Sequence, residues 1–486
     1  MRALRHPAAR RAGLMLLLVA AATCEAQQQP YGEGAGAAGQ TSFAPAPAFR
    51  SQQSYIDVLA GVAYSDNVTL TPGDKVGDTL GIVGLDIDYT RHGKLDLDVR
   101  GEVEWVDYLK HTYPGTAFGT LNGKAMWGQS TDTLQWLAAD TFGQASINPY
   151  EVQVPTNIEN INYVTTGPYV NFPLGANDRL SLNGQYSNLT YEKSPESSNI
   201  YSGGAELSHL LSSASSIALI ANARHTELSG EDSFTGASSD TYDIRSAYLQ
   251  YTSAFARTKL NAAAGYTSLD FGSDKTSSPY LSMQLDRRIS YVSTVYLRAS
   301  NGYSNTGQSL QDNFGSPPSE VSGPTGESLA TATQNPFKES MAALGYRFER
   351  NRTSMSLSAS AITERYEGVR AFSQNQYLLS WNLERRVTPT ISANVSAQVA
   401  RVHFESADAG FTDAMASAGV TRHFRRSRLI IRYDRYQRSG NGSLPPAVQT
   451  PTPTPEAASE PPSPSYSDNR IGVYLSYDVV GQKDRP

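Results

Sequence analysis

Apolar and polar side chains alternate along most of this chain with a period of two. From Gly81 to Thr90, Val83, Leu85, Ile87 and Tyr89 share one face, and Asp86, Asp88 and Thr90 share the other. Alternation over this length is a strand signal. After a His92-Gly93 turn it sharpens: Leu95, Leu97, Val99, Val103 and Trp105 stand against Asp96, Asp98, Arg100, Glu102 and Glu104. Ionisable groups repeated down one strand face cannot meet lipid, where each costs several kcal/mol near the midplane, so that face must meet water. The same pattern returns with Met355, Leu357, Ala359 and Ala361 against serines, with Ile391, Ala393, Val395, Ala397 and Val399 against Ser392, Asn394, Ser396 and Gln398, and with Ile471, Val473, Leu475 and Tyr477 against Gly472, Tyr474, Ser476 and Asp478.

The periodicity predicts strands over 55–65, 78–91, 94–108, 117–128, 132–145, 160–171, 178–190, 200–211, 214–227, 240–251, 254–269, 278–288, 291–302, 338–349, 352–365, 373–385, 389–404, 411–423, 427–438 and 468–479. Connections near 92, 129, 174, 212, 252, 289, 350, 387 and 425 are short, whereas the intervening ones are usually longer. Short and long connections in strict rotation are expected when one end of a barrel carries periplasmic turns and the other extracellular loops. The expected fold is therefore all-β, a transmembrane antiparallel β-barrel of about 20 strands, or 18 if one weak hairpin is misread. Both termini then lie in the periplasm of a Gram-negative cell, with the connections 303–337 and 439–467 outside. Pro317-Pro318 in the first, and Pro445-Pro446, the Pro-Thr alternation and Pro461-Pro462 in the second, prevent either from being sheet throughout.

The start of the chain reads as an export signal. Arg2, Arg5, Arg10 and Arg11 precede a short apolar core from Leu14 to Ala22, and Cys24-Glu25-Ala26 offers small residues for cleavage after Ala26. A lipoprotein signal requires cleavage before Cys24, for which Ala21 and Thr23 are poor neighbours. Residues 27–52, rich in Gly, Ala and Pro, read as a disordered periplasmic lead-in, 53–480 as the barrel and 481–486 as a tail. Loss of four arginines and one glutamate takes the formal charge from −6 to about −9 and removes the only cysteine. No basic block points to nucleic acid, and beyond the signal no apolar run approaches the ~20 residues of a membrane helix. Hydrophobic residues are 39 % of the chain, which suits a barrel because only alternate residues meet lipid.

Catalytic patterns are missing. His92, His111, His209, His225, His403 and His423 show no metal-ligand spacing, and there is no GxSxG elbow, Walker loop or dinucleotide glycine fingerprint. The chain reads as a non-enzyme with no cofactor and no metal. Strand parity instead nominates lumen-lining residues: Asp86, Asp88, Asp96, Asp98, Glu102 and Glu104 as an acidic stripe attracting cations, Arg100, Arg298, Arg347 and Arg432 as partners for acids across the lumen, and Tyr248, Tyr296 and Tyr474 as flat surfaces suited to stacking on a sugar. A water-facing wall kept solvated by its charges accounts for the same pattern. With 28 tyrosines and four tryptophans in the chain, Trp105, Tyr108, Tyr169, Tyr191, Tyr266 and Tyr366 near strand ends suggest rings at the headgroup level. Arg287-Arg288, Arg350 with Arg352, Arg385-Arg386 and Arg425-Arg426 mark short turns, as a wet rim or a surface for periplasmic partners.

Ser54-Tyr55-Ile56-Asp57-Val58, followed by Tyr64-Ser65-Asp66-Asn67-Val68-Thr69-Leu70-Thr71, resembles the opening of outer-membrane β-barrel proteins associated with exopolysaccharide biosynthesis loci. The Arg-containing turns and Gly472-Val473-Tyr474-Leu475-Ser476-Tyr477 are similar too. The resemblance implies an outer-membrane channel for export of a cell-surface or secreted polysaccharide, a passive conduit with the polysaccharide chain and periplasmic export proteins as partners. Membrane lipid, lipopolysaccharide and the barrel assembly machinery are partners of any such barrel. The pattern leaves open a general or substrate-selective diffusion porin, and a structural or adhesive barrel with a filled lumen.

Overall fold

Every expected strand forms, and the ladder joining them closes on itself. The computed structural model describes residues 54–129, 132–194, 197–229, 241–272, 274–312, 330–367, 372–405, 409–441 and 465–480. The expected signal 1–26, the lead-in 27–52 and the tail 481–486 lie outside these residues, as do 313–329 and 442–464 of the two longest connections. The strands are β1 (Tyr55–Ser65), β2 (Asp78–Arg91), β3 (Leu95–Tyr108), β4 (Thr116–Trp127), β5 (Leu134–Ser146), β6 (Ile158–Pro173), β7 (Asp178–Tyr191), β8 (Ser197–Ser212), β9 (Ser215–Ser229) and β10 (Thr241–Ala254). They continue with β11 (Thr258–Phe271), β12 (Asp274–Ser290), β13 (Ser293–Ser304), the short helix α1 (Thr306–Asp312), β14 (Ala330–Thr331), β15 (Phe337–Arg350), β16 (Thr353–Tyr366), β17 (Gln374–Thr388), β18 (Ile391–Phe404), β19 (Ala409–His423), β20 (Ser427–Asn441) and β21 (Tyr466–Asp478). No expected boundary moves by more than four residues.

Twenty of these strands make one antiparallel barrel; β14 is the exception, a two-residue piece pairing parallel with β5. Each barrel strand pairs with the next, β13 pairs with β15, and β1 pairs with β21 from Asp57↔Asp478 to Ser65↔Arg470. Closure leaves no unpaired edge, which is what lets sheet cross hydrocarbon. The outward face carries Val62, Val83, Leu219, Leu344 and Val473, each about half exposed, on every side of the barrel. Apolar residues this open to the surroundings on nearly every strand form a lipid-facing belt, and the fold is that of an outer-membrane β-barrel. Its short turns gather at one end with the start of β1 and the end of β21, and its long loops at the other, the end expected to face outward.

The seam is fastened by the distinctive segment of the sequence. Ser65 Oγ donates to Asp468 Oδ1 at 2.6 Å, and the Asn67 amide donates to the same oxygen at 3.2 Å. Asp66 accepts from the backbone amide of Asn469 at 2.8 Å and from its side chain at 2.7 Å. Asn67 is fully buried; its side-chain amide donates to the carbonyls of Thr71 and Ser467 at 2.8 and 3.0 Å. Ser65-Asp66-Asn67 is thus a buckle between the first and last strands, at the long-loop end.

Candidate functional site

Inside the barrel the two ends differ. Near the short turns, inward charges remain wet: Arg100 lies 2.9 Å from Asp98 and 3.6 Å from Asp88, with all three side chains about half exposed. Toward the long-loop end the inward face disappears under protein. Leu59, Ala63, Leu80, Ile82, Val106, Tyr108 and Phe118 are buried there with Val68, Ile158, Ile430 and Tyr474.

Two connections cover that face. The β5–β6 loop, residues 147–157, is stitched at its neck by Asn157, whose side chain accepts from the Asn148 amide at 2.8 Å and donates to the carbonyls of Asn148 and Val152 at 2.9 and 3.1 Å. From this neck Tyr150 reaches the β16–β18 side of the mouth. Its ring centroid lies 4.4 Å from that of Phe404 and 6.2 Å from that of Phe372, within a buried cluster completed by Phe337, Tyr366, Val402 and Phe411. Val152 and Val154 pack with Leu70, Tyr436 and Tyr466 near the seam. Arg438 ties the loop to β20: it donates to the Glu151 carbonyl at 3.2 Å while its fully buried guanidinium grips Asp413 at 2.6 and 2.8 Å and lies 3.9 Å from the centre of the Phe411 ring.

The second connection, between β13 and β15, also enters the mouth. Thr306 donates to the carbonyls of Thr331 and Thr333 at 3.1 and 2.8 Å, Tyr191 donates to Thr333 at 2.8 Å, and β14 lies against β5. Thr306, Ala332 and Thr333 are buried. The expectation that 303–337 lies outside is therefore corrected for its described parts. Buried apolar and hydroxyl side chains seat it against the inner wall, while 313–329 and 442–464 lie outside the described residues.

All 13 sequence-nominated residues fall on the face opposite the exposed apolar belt, yet their surroundings diverge. Asp96 accepts from the Gly93 amide at 2.9 Å and Asp86 from the Tyr55 hydroxyl at 3.0 Å, whereas Glu102 and Glu104 are both buried. The acids are thus not one continuous wet stripe. The arginines pair along the wall instead of across the lumen: Arg100 with Asp98, Arg298 with Asp286 at 3.0 Å and Arg432 with Asp434 at 2.7 Å, while Nε of Arg347 has no partner among the described residues. The bore of a barrel with this many strands exceeds the reach of two side chains, so neighbours on the same wall win. Tyr248, Tyr296 and Tyr474 are buried rings. Tyr248 stacks on Tyr280 at 4.4 Å, and Tyr296 and Tyr474 lie over Gly345 and over Gly61 with Gly472.

The aromatic assignment also changes. Trp105 and Tyr266 face outward and are more than half exposed, but Tyr108, Tyr191 and Tyr366 are buried inside beneath the loops, and Tyr169 shares the inward parity of buried Ile161 and Tyr163. Parity separates them, since Tyr108 falls with Glu104 and not with Trp105. Strand patterning does not reveal the closing loop. Its signal was an apolar run, Tyr150, Val152 and Val154, in a connection expected to face water.

No protein-family model and no curated protein matches the chain. Among solved structures it is similar to the FrpB iron transporter from Neisseria meningitidis (10 % identity over 88 % of this chain and 83 % of that one, TM-score 0.42). It is also similar to the siderophore receptor PirA from Acinetobacter baumannii (9 %, 88 % and 81 %, 0.44) and the ferric enterobactin receptor PfeA from Pseudomonas aeruginosa (10 %, 88 % and 82 %, 0.43). At these identities the likeness is one of barrel architecture. The expectation of a polysaccharide exit channel is corrected: a packed loop crosses the mouth where a sliding polymer needs a clear bore. The diffusion-porin alternative is corrected on the same grounds, because a freely open pore does not bury its outer mouth.

Proposed function

We propose that this protein is a gated outer-membrane transporter for a hydrophilic solute, with its outer mouth shut by the 147–157 loop and its lumen wet toward the periplasm. The observation that carries this reading is Tyr150, seated among aromatic residues on the far side of the mouth while Arg438 holds the adjoining carbonyl. A loop present only to fill space needs no such pair of anchors. The anchors are also separable from the barrel, since the loop neck closes on itself through Asn157. Passage then requires the Tyr150 ring to leave its seat. Burying one large aromatic side chain is worth ~1.5–3 kcal/mol, a barrier that a ligand's differential binding can supply.

The test is conductance and liposome swelling with the purified full-length barrel. The wild type should pass little, and deletion of 149–155, or Tyr150→Ala with Arg438→Met, should raise flux severalfold at unchanged heat-modifiable mobility. Equal flux in wild type and variants, or a freely conducting wild type, would overturn the gate.

A further inference from the structure

The outward face of β15–β20 carries an arrangement that transport through the lumen does not use. On β18 the apolar belt ends at Val399, and the next two outward positions toward the exterior are Arg401 and His403. Both are exposed, and neither makes a hydrogen bond or ion pair among the described residues. The nearby carboxylate of Glu405 is taken by Arg365 and by Asn375 at 3.4 Å. Arg401 stands opposite Thr412, itself opposite Ser439, and these side chains with His403, Gly410 and Gly440 line an outward cleft of about 320 Å³. Lys338 lies opposite Arg365 on β15–β16, and Arg435 lies on β20. The outward positions in the outer halves of these strands include no Asp or Glu.

The neighbouring stretch of the rim, one strand away past β13, is built differently. On β9–β12 each outward cation has an acid: His225 and Arg245 share Asp243 at 2.8 and 3.5 Å, and Lys275 meets Asp270 at 2.8 Å. Solvation alone would favour the same pairing all round. This basic arc, in which Arg401 and His403 have no acid while Arg365 is paired with Glu405, lies at the boundary between apolar belt and water beside the exposed ring of Tyr377, and matches a ligand with a phosphate at headgroup depth and hydrocarbon below it.

We propose that this arc binds a phosphorylated lipid of the outer leaflet. Arg401 and His403 hold the phosphate, the hydroxyls of Thr412 and Ser439 donate to it, and an acyl chain lies along the row formed by Leu379, Val399 and Ala414, where the small alanine leaves room. Native mass spectrometry of the full-length barrel in detergent, titrated with phosphatidic acid, tests this against diacylglycerol, which lacks the phosphate. Phosphatidic acid should bind the wild type; Arg401→Ala should weaken it about fivefold, the value of one cation near a headgroup. Arg422→Ala, an outward arginine beside Phe424 at the other rim, should leave it unchanged. Equal binding to wild type and Arg401→Ala at unchanged heat-modifiable mobility, equal weakening by Arg422→Ala, or equal binding of diacylglycerol would overturn the site.

Discussion

Glycine and tyrosine explain one another on the inner wall. A Cβ at Gly345 would sit 1.9 Å from Cζ of Tyr296, and one at Gly472 would sit 2.1 Å from the Tyr474 hydroxyl, so each ring lies on backbone where a side chain would otherwise stand. A ring so placed covers exposed backbone and restores the apolar contact that a strand glycine forfeits. Gly345→Ala should therefore destabilise the barrel by ~1–3 kcal/mol through overpacking, seen as a lower midpoint in denaturant, whereas Gly123→Ala, whose Cβ meets nothing within 4 Å, should leave the midpoint in place. That these tyrosines face inward was legible from parity. That they rest on glycines was not, because the glycine under Tyr296 belongs to a strand about fifty residues away in sequence.

At the level of elements the seam is the weak point of any closed barrel, since the first and last strands meet last in the chain. Here the ladder is reinforced by the buckle of Ser65, Asp66 and Asn67 on Asp468 and Asn469. Burial by itself raises the Asp66 carboxyl, but the hydrogen bonds from the side chain and backbone of Asn469 outweigh it and hold the group below its usual range. A carboxylate depressed in the folded state adds stability above its unfolded value of about 3.9, and that stability is lost as pH falls through the lower folded value. The seam should hold at neutral pH and loosen in acid below about pH 4. Hydrogen exchange at β1 and β21 should accelerate there in the wild type; in Asp66→Asn, which cannot titrate, this acid-dependent part should vanish. Strand positions were readable to within four residues because period-two alternation is local. The role of Ser-Asp-Asn was not, because its partners stand about four hundred residues away.

For the whole molecule, the outcome is a barrel with a packed loop across one end and exposed inward charges at the other. Asp88 and Asp98 stay exposed near the short turns, with Arg100 neutralising only part of their charge. Once the mouth is opened by deletion of 149–155, the lumen should prefer cations, and adding Asp88→Asn with Asp98→Asn should lower that preference, read as a reversal-potential shift toward zero in a salt gradient. The sequence by itself determined the strands, their number, the faces they turn to lipid and to lumen, and the alternation of turns and loops, because each follows from residues that are neighbours along the chain or related by a period of two. The tertiary structure alone decided that a loop packs across the mouth, that arginines pair along the wall, that four of the six nominated ring positions turn inward, and that Arg401 and His403 stand at the rim without an acid among the described residues. Those outcomes depend on which strands become neighbours when the sheet closes and on where a loop with apolar side chains finds a buried seat, and neither is encoded in any local pattern.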